Sequence, residues 1–328
     1  MLIAYVHSDF GHGMDEDGCA IYDKRLIAAL SDLADVKIET IPIVRRRALG
    51  LPLWKARIDM AAHGRLRDLK AQGSKILISH EALFGMADDH IPNINPDMLI
   101  VHNYWPRFEY VGRPILSTQY RMYARQFLEK HLKRALKILF LADADFFCAN
   151  EMMPSVIAGK TIVLAPPPRK FLLNGRSSEL IHLSGSAGWR AKRYSRLTPV
   201  EHDAIRLRGY RIGDFTEPLQ SAFGLITDRF AVGYKLKLMQ MIYARDVIAS
   251  FTDLETDVRQ VAPDYPCYRT VSSINEALDY FDRYRDDVPE RALESATKSL
   301  KGYTWDFLAK TIHAALLVNK LQNHLEVP

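Results

Sequence analysis

The chain alternates apolar runs of strand length with amphipathic stretches of helical spacing, and it does so twice. The first residues, LIAYVHS, form a short apolar run that ends at the glycine-containing loop DFGHG, the pattern of a buried parallel strand feeding a turn. AIYDKRLIAALSDL then places apolar residues at helical spacing, and VKIETIPI alternates like a strand. Strand, loop, helix, strand is the opening of a doubly wound sheet. KILISHEALFG and DMLIVHNYWPRF predict two further strands, each ending at a histidine, and STQYRMYARQFLEKHLKRALKILFLADA predicts a long helix ahead of a strand DFFCAN. GKTIVLAPPP closes this half, because consecutive prolines continue neither a central strand nor a helix and make a stiff connection.

The second half restarts the rhythm. ELIHLSGSAGWR reads as strand then loop, PVEHDAIRL as a helix, and GYRIGD and FGLITD as strands. KLKLMQMIYA predicts a helix and DVIASF the strand after it, followed by amphipathic helices in SSINEALDYFDRY and PERALESATKSL. In TWDFLAKTIHAALLVNKL, Thr304 suits an N-cap and Asp306 places a negative charge in the first turn, where the helix dipole favours it. The expected fold class is therefore α/β, two Rossmann-like domains facing each other across a cleft, spanning 1–168 and 169–328, with the last helix free to cross back.

Composition narrows the class. The 328 residues are 48% hydrophobic and 25% charged, with no low-complexity tract, as in a folded globular protein. The N-terminus lacks the pattern of a signal peptide and no run approaches about 18 apolar residues, so a cytoplasmic location is expected. Cys19, Cys148 and Cys267 suggest neither a disulfide framework nor a metal cluster, and no metal is expected. The net charge of +5 is mild, but its distribution is uneven. A basic, partly amphipathic segment runs from Arg45 to Lys70 and includes Arg45, Arg46, Arg47, Trp54 and Arg57. Such a segment suits either an anionic membrane surface or a pair of solvated helices. Nucleic acid is a poor fit, because no helix-turn-helix, RNA-binding strand or zinc-finger pattern accompanies the charge.

Several residues could carry chemistry. Arg229, Lys235 and Lys237 flank or begin a helix, where cations and the helix end together would hold a phosphate group. Gly11 and Gly13 would let backbone approach a ligand closely, although an ordinary strand-to-helix turn explains them nearly as well. His80 and Glu81, at a strand end, offer a general base toward a hydroxyl, with Asp9, Asp15, Glu16 and Asp17 in the first loop as competitors.

Taken in order, these motifs resemble the GT-B glycosyltransferases, in particular the family 4 type of polysaccharide and lipid-linked oligosaccharide synthesis. The resemblance spans nearly the whole chain and rests on the first glycine loop, His102 in IVHNYWPRF, the LSGSAGWR restart, the helix and strand of GYKLKLMQMIYARDVIAS, and YTWD before the last helix. It implies an acceptor-side N-terminal domain, a C-terminal domain holding a UDP- or GDP-linked sugar as co-substrate without metal, and a saccharide or lipid-linked acceptor at the membrane face. It implies that His102 stands near the donor sugar, that Arg190 and Lys192 bind diphosphate, and that Thr252, Asp253 and Glu255 follow the strand on a loop touching the donor. The chain departs from the pattern where the family places paired glutamates: Gln240 stands for the second and Val232 for the first, and Arg245 replaces a glycine. Gln240 can bond a ribose hydroxyl only without charge assistance, so the retaining outcome of the family does not carry over. A catalytically degenerate subunit serving an active partner is the alternative. An NAD-dependent oxidoreductase fits less well, because Gly18 falls two places late for the dinucleotide fingerprint.

Overall fold

The computed structural model describes residues 1–8, 18–43, 60–83, 95–104, 129–168, 176–184, 196–213, 221–229 and 234–318, apart from the side chains of 18, 60, 81, 83, 184 and 221. The chain folds as two compact units. One comprises Met1–Arg107 and Thr118–Ala165 together with the C-terminal segment Trp305–Pro328, and the other is built mainly from Pro166–Thr304.

In the first unit, strands β1 (Leu2–Ser8), β2 (Lys37–Ile43), β3 (Lys75–Ser79), β4 (Met98–Val101), β5 (Lys137–Phe140) and β6 (Thr161–Val163) form a sheet in the order β2-β1-β3-β4-β5-β6. Every neighbouring pair is parallel. Ile3, Ala4, Tyr5 and Val6 are all fully buried, as a central parallel strand covered on both faces requires. The chain moves outward from β1 to β2 and then returns to the other side at β3. The carboxyl ends of β1 and β3 therefore flank a topological switch point.

The long helix expected through LKRALKILFLADA does not form as one piece. Residues 129–134 are helical, but Lys137–Phe140 is strand β5, and the expected strand DFFCAN is instead helix α4 (Asp143–Met152). (Helices are numbered α1 Gly18–Ser31, α2 Met60–Ala71, α3 His80–Leu83, α4 Asp143–Met152 and α5 Pro154–Ile157 in this unit.) Ile138, Leu139 and Phe140 are consecutive and fully buried, which a strand between β4 and β6 permits and a helix with one wet face does not. Asp143 and Asp145 occupy the first turn of α4, where negative charge is favourable, and Phe147 is left 56% exposed.

The second unit carries β7 (Ser177–Ser184), β8 (Arg211–Gly213), β9 (Ser221–Ile226), β10 (Val247–Ser250) and β11 (Tyr268–Thr270) in the parallel order β11-β10-β9-β7-β8. Its switch point lies between β7 and β9. Helices α6 (Pro199–Leu207), α7 (Leu236–Ala244), α8 (Glu255–Val261), α9 (Ile274–Asp282) and α10 (Glu290–Ala296) complete it. Helix α7 crosses β9 so closely that a Cβ added at Gly224 would stand 2.7 Å from Met241 Sδ.

The final helix, α11 (Trp305–Leu317), belongs to the first unit. Trp305 meets the Tyr22 ring of α1 at 5.2 Å, and the Arg25 guanidinium lies 5.9 Å from the indole. At the far end the buried Lys137 ammonium donates to the carbonyls of Ala315 and Val318, a cation on a helix C-terminus. Burial pushes the Lys137 pKa down, with Lys75 adding to the effect. Among the described residues no helix is long and apolar enough to cross a membrane.

Candidate active site

The carboxyl edge of the first sheet gathers a buried polar cluster. His102 follows β4 directly, and His80 opens α3 directly after β3, so parallel neighbours deliver both imidazoles to the same edge. The His80 Nδ1 accepts the main-chain N–H of His102 at 3.0 Å, with ring centroids 5.4 Å apart. That bond leaves the proton of neutral His80 on Nε2. The His102 Nε2 lies 3.1 Å from Asp23 Oδ1, and its Nδ1 is 3.4 Å from Ser79 Oγ. Tyr5 on β1 donates its hydroxyl to the same Asp23 oxygen at 2.7 Å. Burial first, and Asp23 second, push the Tyr5 pKa well above its ordinary value. Tyr22 meets the His102 ring edge-on at 5.1 Å. His102, His80, Ser79, Tyr5 and Asp23 are all buried, so His102 sits within the protein with both ring nitrogens facing protein groups.

In the second unit two of the cations expected near a phosphate, Lys235 and Arg229, are already matched with carboxylates. Lys235, the residue before α7, places Nζ 2.9 Å from Asp228 Oδ2 at the exit of β9, and both side chains are nearly buried. Arg229 meets Glu201 Oε1 at 2.9 Å and lies over the Phe251 ring at 5.1 Å. Glu201 is itself the N3 residue of a capping box with Thr198 at the start of α6. Lys237 and Gln240 are half-buried on α7, whose N-terminus has no side-chain cap and no acidic residue in its first turn.

The turn after β10 is braced by side chains. Thr252 Oγ1 donates to the Asp228 carbonyl at 2.7 Å, tying the exits of β9 and β10 together. Ser250 Oγ donates to the Thr252 carbonyl at 2.6 Å, and Tyr268 accepts the Leu254 N–H at 2.6 Å. Glu255 does not lie on the loop expected for it. It opens α8, where its own N–H donates to Asp253 Oδ1 at 3.0 Å and its carboxylate takes Arg259 one turn later at 2.6 Å. An acidic residue and an Asx-type bond at this point begin a helix rather than prolong a loop.

Of the other residues singled out in the sequence, Asp9, Gly11, Gly13, Asp15, Glu16, Asp17, Arg45, Arg46, Arg47, Trp54, Arg57, Arg190 and Lys192 lie outside the described residues, as does the side chain of Glu81. The structure adds residues that sequence reading passed over: Tyr5, Asp23 and Ser79 around His102, and Asp228 and Glu201 beside the cations. Asp23 carried a visible signal. It stands three and seven residues before Leu26 and Leu30, on the apolar stripe of α1, where a carboxylate requires a buried partner.

No family model and no curated protein matches the sequence. Solved structures do match the fold. A sucrose-phosphate synthase of Thermosynechococcus elongatus superposes with a TM-score of 0.62 at 11% identity, over 95% of this chain and 97% of that one. UGT2 of Phytolacca americana, complexed with UDP-2-fluoro-glucose and pterostilbene, gives 0.54 at 9% identity over 96% and 99%. TarM of S. aureus, in complex with fondaparinux, α-GlcNAc-glycerol and UDP, gives 0.50 at 9% identity; 79% of this chain is covered, but only 59% of TarM. The two parallel sheets described above are thus the fold shared with these GT-B structures.

Proposed function

We propose that the protein is a nucleotide-sugar-dependent glycosyltransferase, with the second unit holding the nucleotide diphosphate and the first unit the acceptor. The observation that carries this reading is the N-terminus of α7. It lies beside the carboxyl end of β9, next to the switch point, is uncapped, and has Lys235 and Lys237 at its start. The positive end of the helix dipole, without a side-chain cap, and two ammonium groups make an arrangement suited to an anionic leaving group. The fold shared with sugar-transferring proteins supports the same reading. In this reading His102 acts at the first unit's ligand edge, Arg190 and Lys192 add charge for the diphosphate, and Thr252, Asp253 and Gln240 contact donor atoms. His80, Glu81 and Asp9 stand as candidates for the acceptor's base. The acceptor is a growing saccharide, glycolipid or related molecule at the inner membrane face, with the Arg45–Arg57 segment toward anionic headgroups. The protein cations, rather than a metal, balance the diphosphate.

A panel of UDP- and GDP-sugars screened by thermal shift, followed by hydrolysis and transfer assays on the hit, tests the proposal. A stabilising donor that is turned over supports it, and following the anomer fixes the stereochemical outcome. Donor binding without hydrolysis or transfer to any acceptor would instead favour a non-catalytic subunit. No binding of any nucleotide sugar would reject both.

A further inference from the structure

The buried carboxylate of Asp23 gives His102 a property that its place in the sequence does not. Asp23 has no exposure; among the described residues the Tyr5 hydroxyl donates to its Oδ1 at 2.7 Å, and His102 Nε2 stands 3.1 Å from the same oxygen at ion-pair distance. A carboxylate taken wholly out of water needs strong donors or a counter-charge. Tyr5 supplies a neutral hydrogen bond, because its hydroxyl holds its proton. His102 is the partner able to supply charge.

We propose that Asp23 is a positioning residue for His102: it holds the proton on Nε2, turns Nδ1 toward Ser79, and raises the affinity of that nitrogen for a second proton. His102 then stands as a fixed, readily protonated imidazole at the carboxyl end of β4, the edge at which open α/β sheets receive ligands. The groups facing it fit this role. From β1 comes Tyr5; from α1 come Asp23 and Tyr22; from the end of β3 and α3 come Ser79 and His80; Cys19 of α1 accepts from the neighbouring Asn103 at 3.4 Å. Arg25 of α1 is directed over Trp305 on the far side of Tyr22. His80 faces His102 with Nδ1 already accepting the main-chain N–H of His102.

The consequence for chemistry rests on the transferase reading. A protonated, immobile imidazolium at this edge stabilises negative charge on a bound donor or acceptor without reorganising, and because the protonated form is the active one, a change in its proton affinity appears as a shift of the alkaline limb of the rate profile.

Long-range nitrogen–proton NMR of the full chain, with the His102 signal identified by its loss in His102→Gln, separates the two levels. In the wild type His102 is expected as the Nε2–H form when neutral and to take its second proton about tenfold more readily than in Asp23→Asn. Tyr5→Phe, which removes the hydroxyl donor and leaves His102 as the nearby group able to balance Asp23, is expected to raise that proton affinity further and serves if Asp23→Asn does not fold. An unchanged tautomer and titration in both variants would overturn the proposal. For the reaction, the alkaline limb of kcat/KM in Asp23→Asn should move to lower pH by about one unit while donor KM stays within about twofold. If the wild type binds no nucleotide sugar, the transferase reading falls and the NMR result still decides the role of Asp23.

Discussion

Replacing Lys235 tests the second unit's site more sharply than any other change, because two effects of the substitution can be separated. The Lys235 ammonium and Asp228 carboxylate are 2.9 Å apart with side chains only 12% and 4% exposed. Lys235→Met removes the cation and strands Asp228 in a poorly hydrated place, and breaking one side of a buried pair costs about 3–5 kcal/mol. At roughly 2–4 °C per kcal/mol for a unit of this size, the calorimetric transition should fall by about 6–20 °C. The double variant Asp228→Asn with Lys235→Met removes both charges and keeps the shape, so it should recover most of that loss. If Lys235 also holds a diphosphate, the double variant should bind UDP about 10- to 100-fold more weakly, the roughly 1.5–3 kcal/mol of a hydrogen bond to a charged group. Calorimetric unfolding and titration with UDP read the two quantities independently. A single variant that melts within about 2 °C of wild type, a third of the smallest expected shift, would refute the buried pair. A well-folded double variant with wild-type UDP affinity would remove Lys235 from the nucleotide site.

Lys137→Met should detach the C-terminal end of α11, lowering stability by about 2 kcal/mol as two helix-end carbonyls lose a charged donor, measured by chemical denaturation and by faster amide exchange in 312–318. Gly224→Ala should cost about 1–3 kcal/mol, since the new methyl would have to displace Met241 on α7; a neutral effect in thermal denaturation would show that the helix can shift. Burial pushes the Cys267 thiol up to about 11 from 9.0. A raised folded-state pKa gives stability that is complete below the unfolded value and is lost as pH rises toward the folded one, so stability should decline between about pH 9 and 11. Cys267→Ala should flatten that decline, while buried Tyr5 and Tyr265, shifted in the same direction, sustain a further loss above about pH 10.

Much of the fold was legible because a parallel sheet covered on both faces leaves a simple trace. LIAYVHS, KILIS, MLIV and VIAS are short apolar runs bounded by polar turns, and each is a strand. KILF has the same composition, but the preceding LEKHLKRAL carries apolar residues at helical spacing that continue into it, and local periodicity cannot mark where a helix hands over to a strand. Its neighbours β4 and β6 decide, and they lie far apart in sequence. The site was less legible for a related reason. The sequence showed His102 and Lys235 as isolated polar residues in good positions, but Asp23 reaches His102 across 79 positions from another element, and Asp228 reaches Lys235 from the end of a different strand. Partners of this kind exist only once the sheet is assembled.

The two positions where the sequence resemblance implied a departure, Arg245 and Gln240, divide in the same way. Arg245 stands where a glycine is usual, and the reason for glycine is plain: the residue caps α7 in the left-handed region at φ 65 and ψ 35, which costs an L-residue about 1–2 kcal/mol. This chain offsets the strain locally. The Arg245 guanidinium meets Glu294 at 3.1 Å, and its carbonyl receives Arg176, which also reaches Asp246 at 3.3 Å and Glu290 at 2.7 Å. All of this happens at the amino end of β10, whereas ligands of open α/β sheets bind beyond the carboxyl ends. The change at Arg245 is therefore a matter of scaffold and carries no information about the reaction. Gln240 is different, because it lies half-buried within α7, the helix whose N-terminus bears the lysines. With Leu238, Met239, Met241 and Ile242 committed to the core around it, Gln240 is a half-buried polar side chain of this helix that the transferase reading would set against donor atoms.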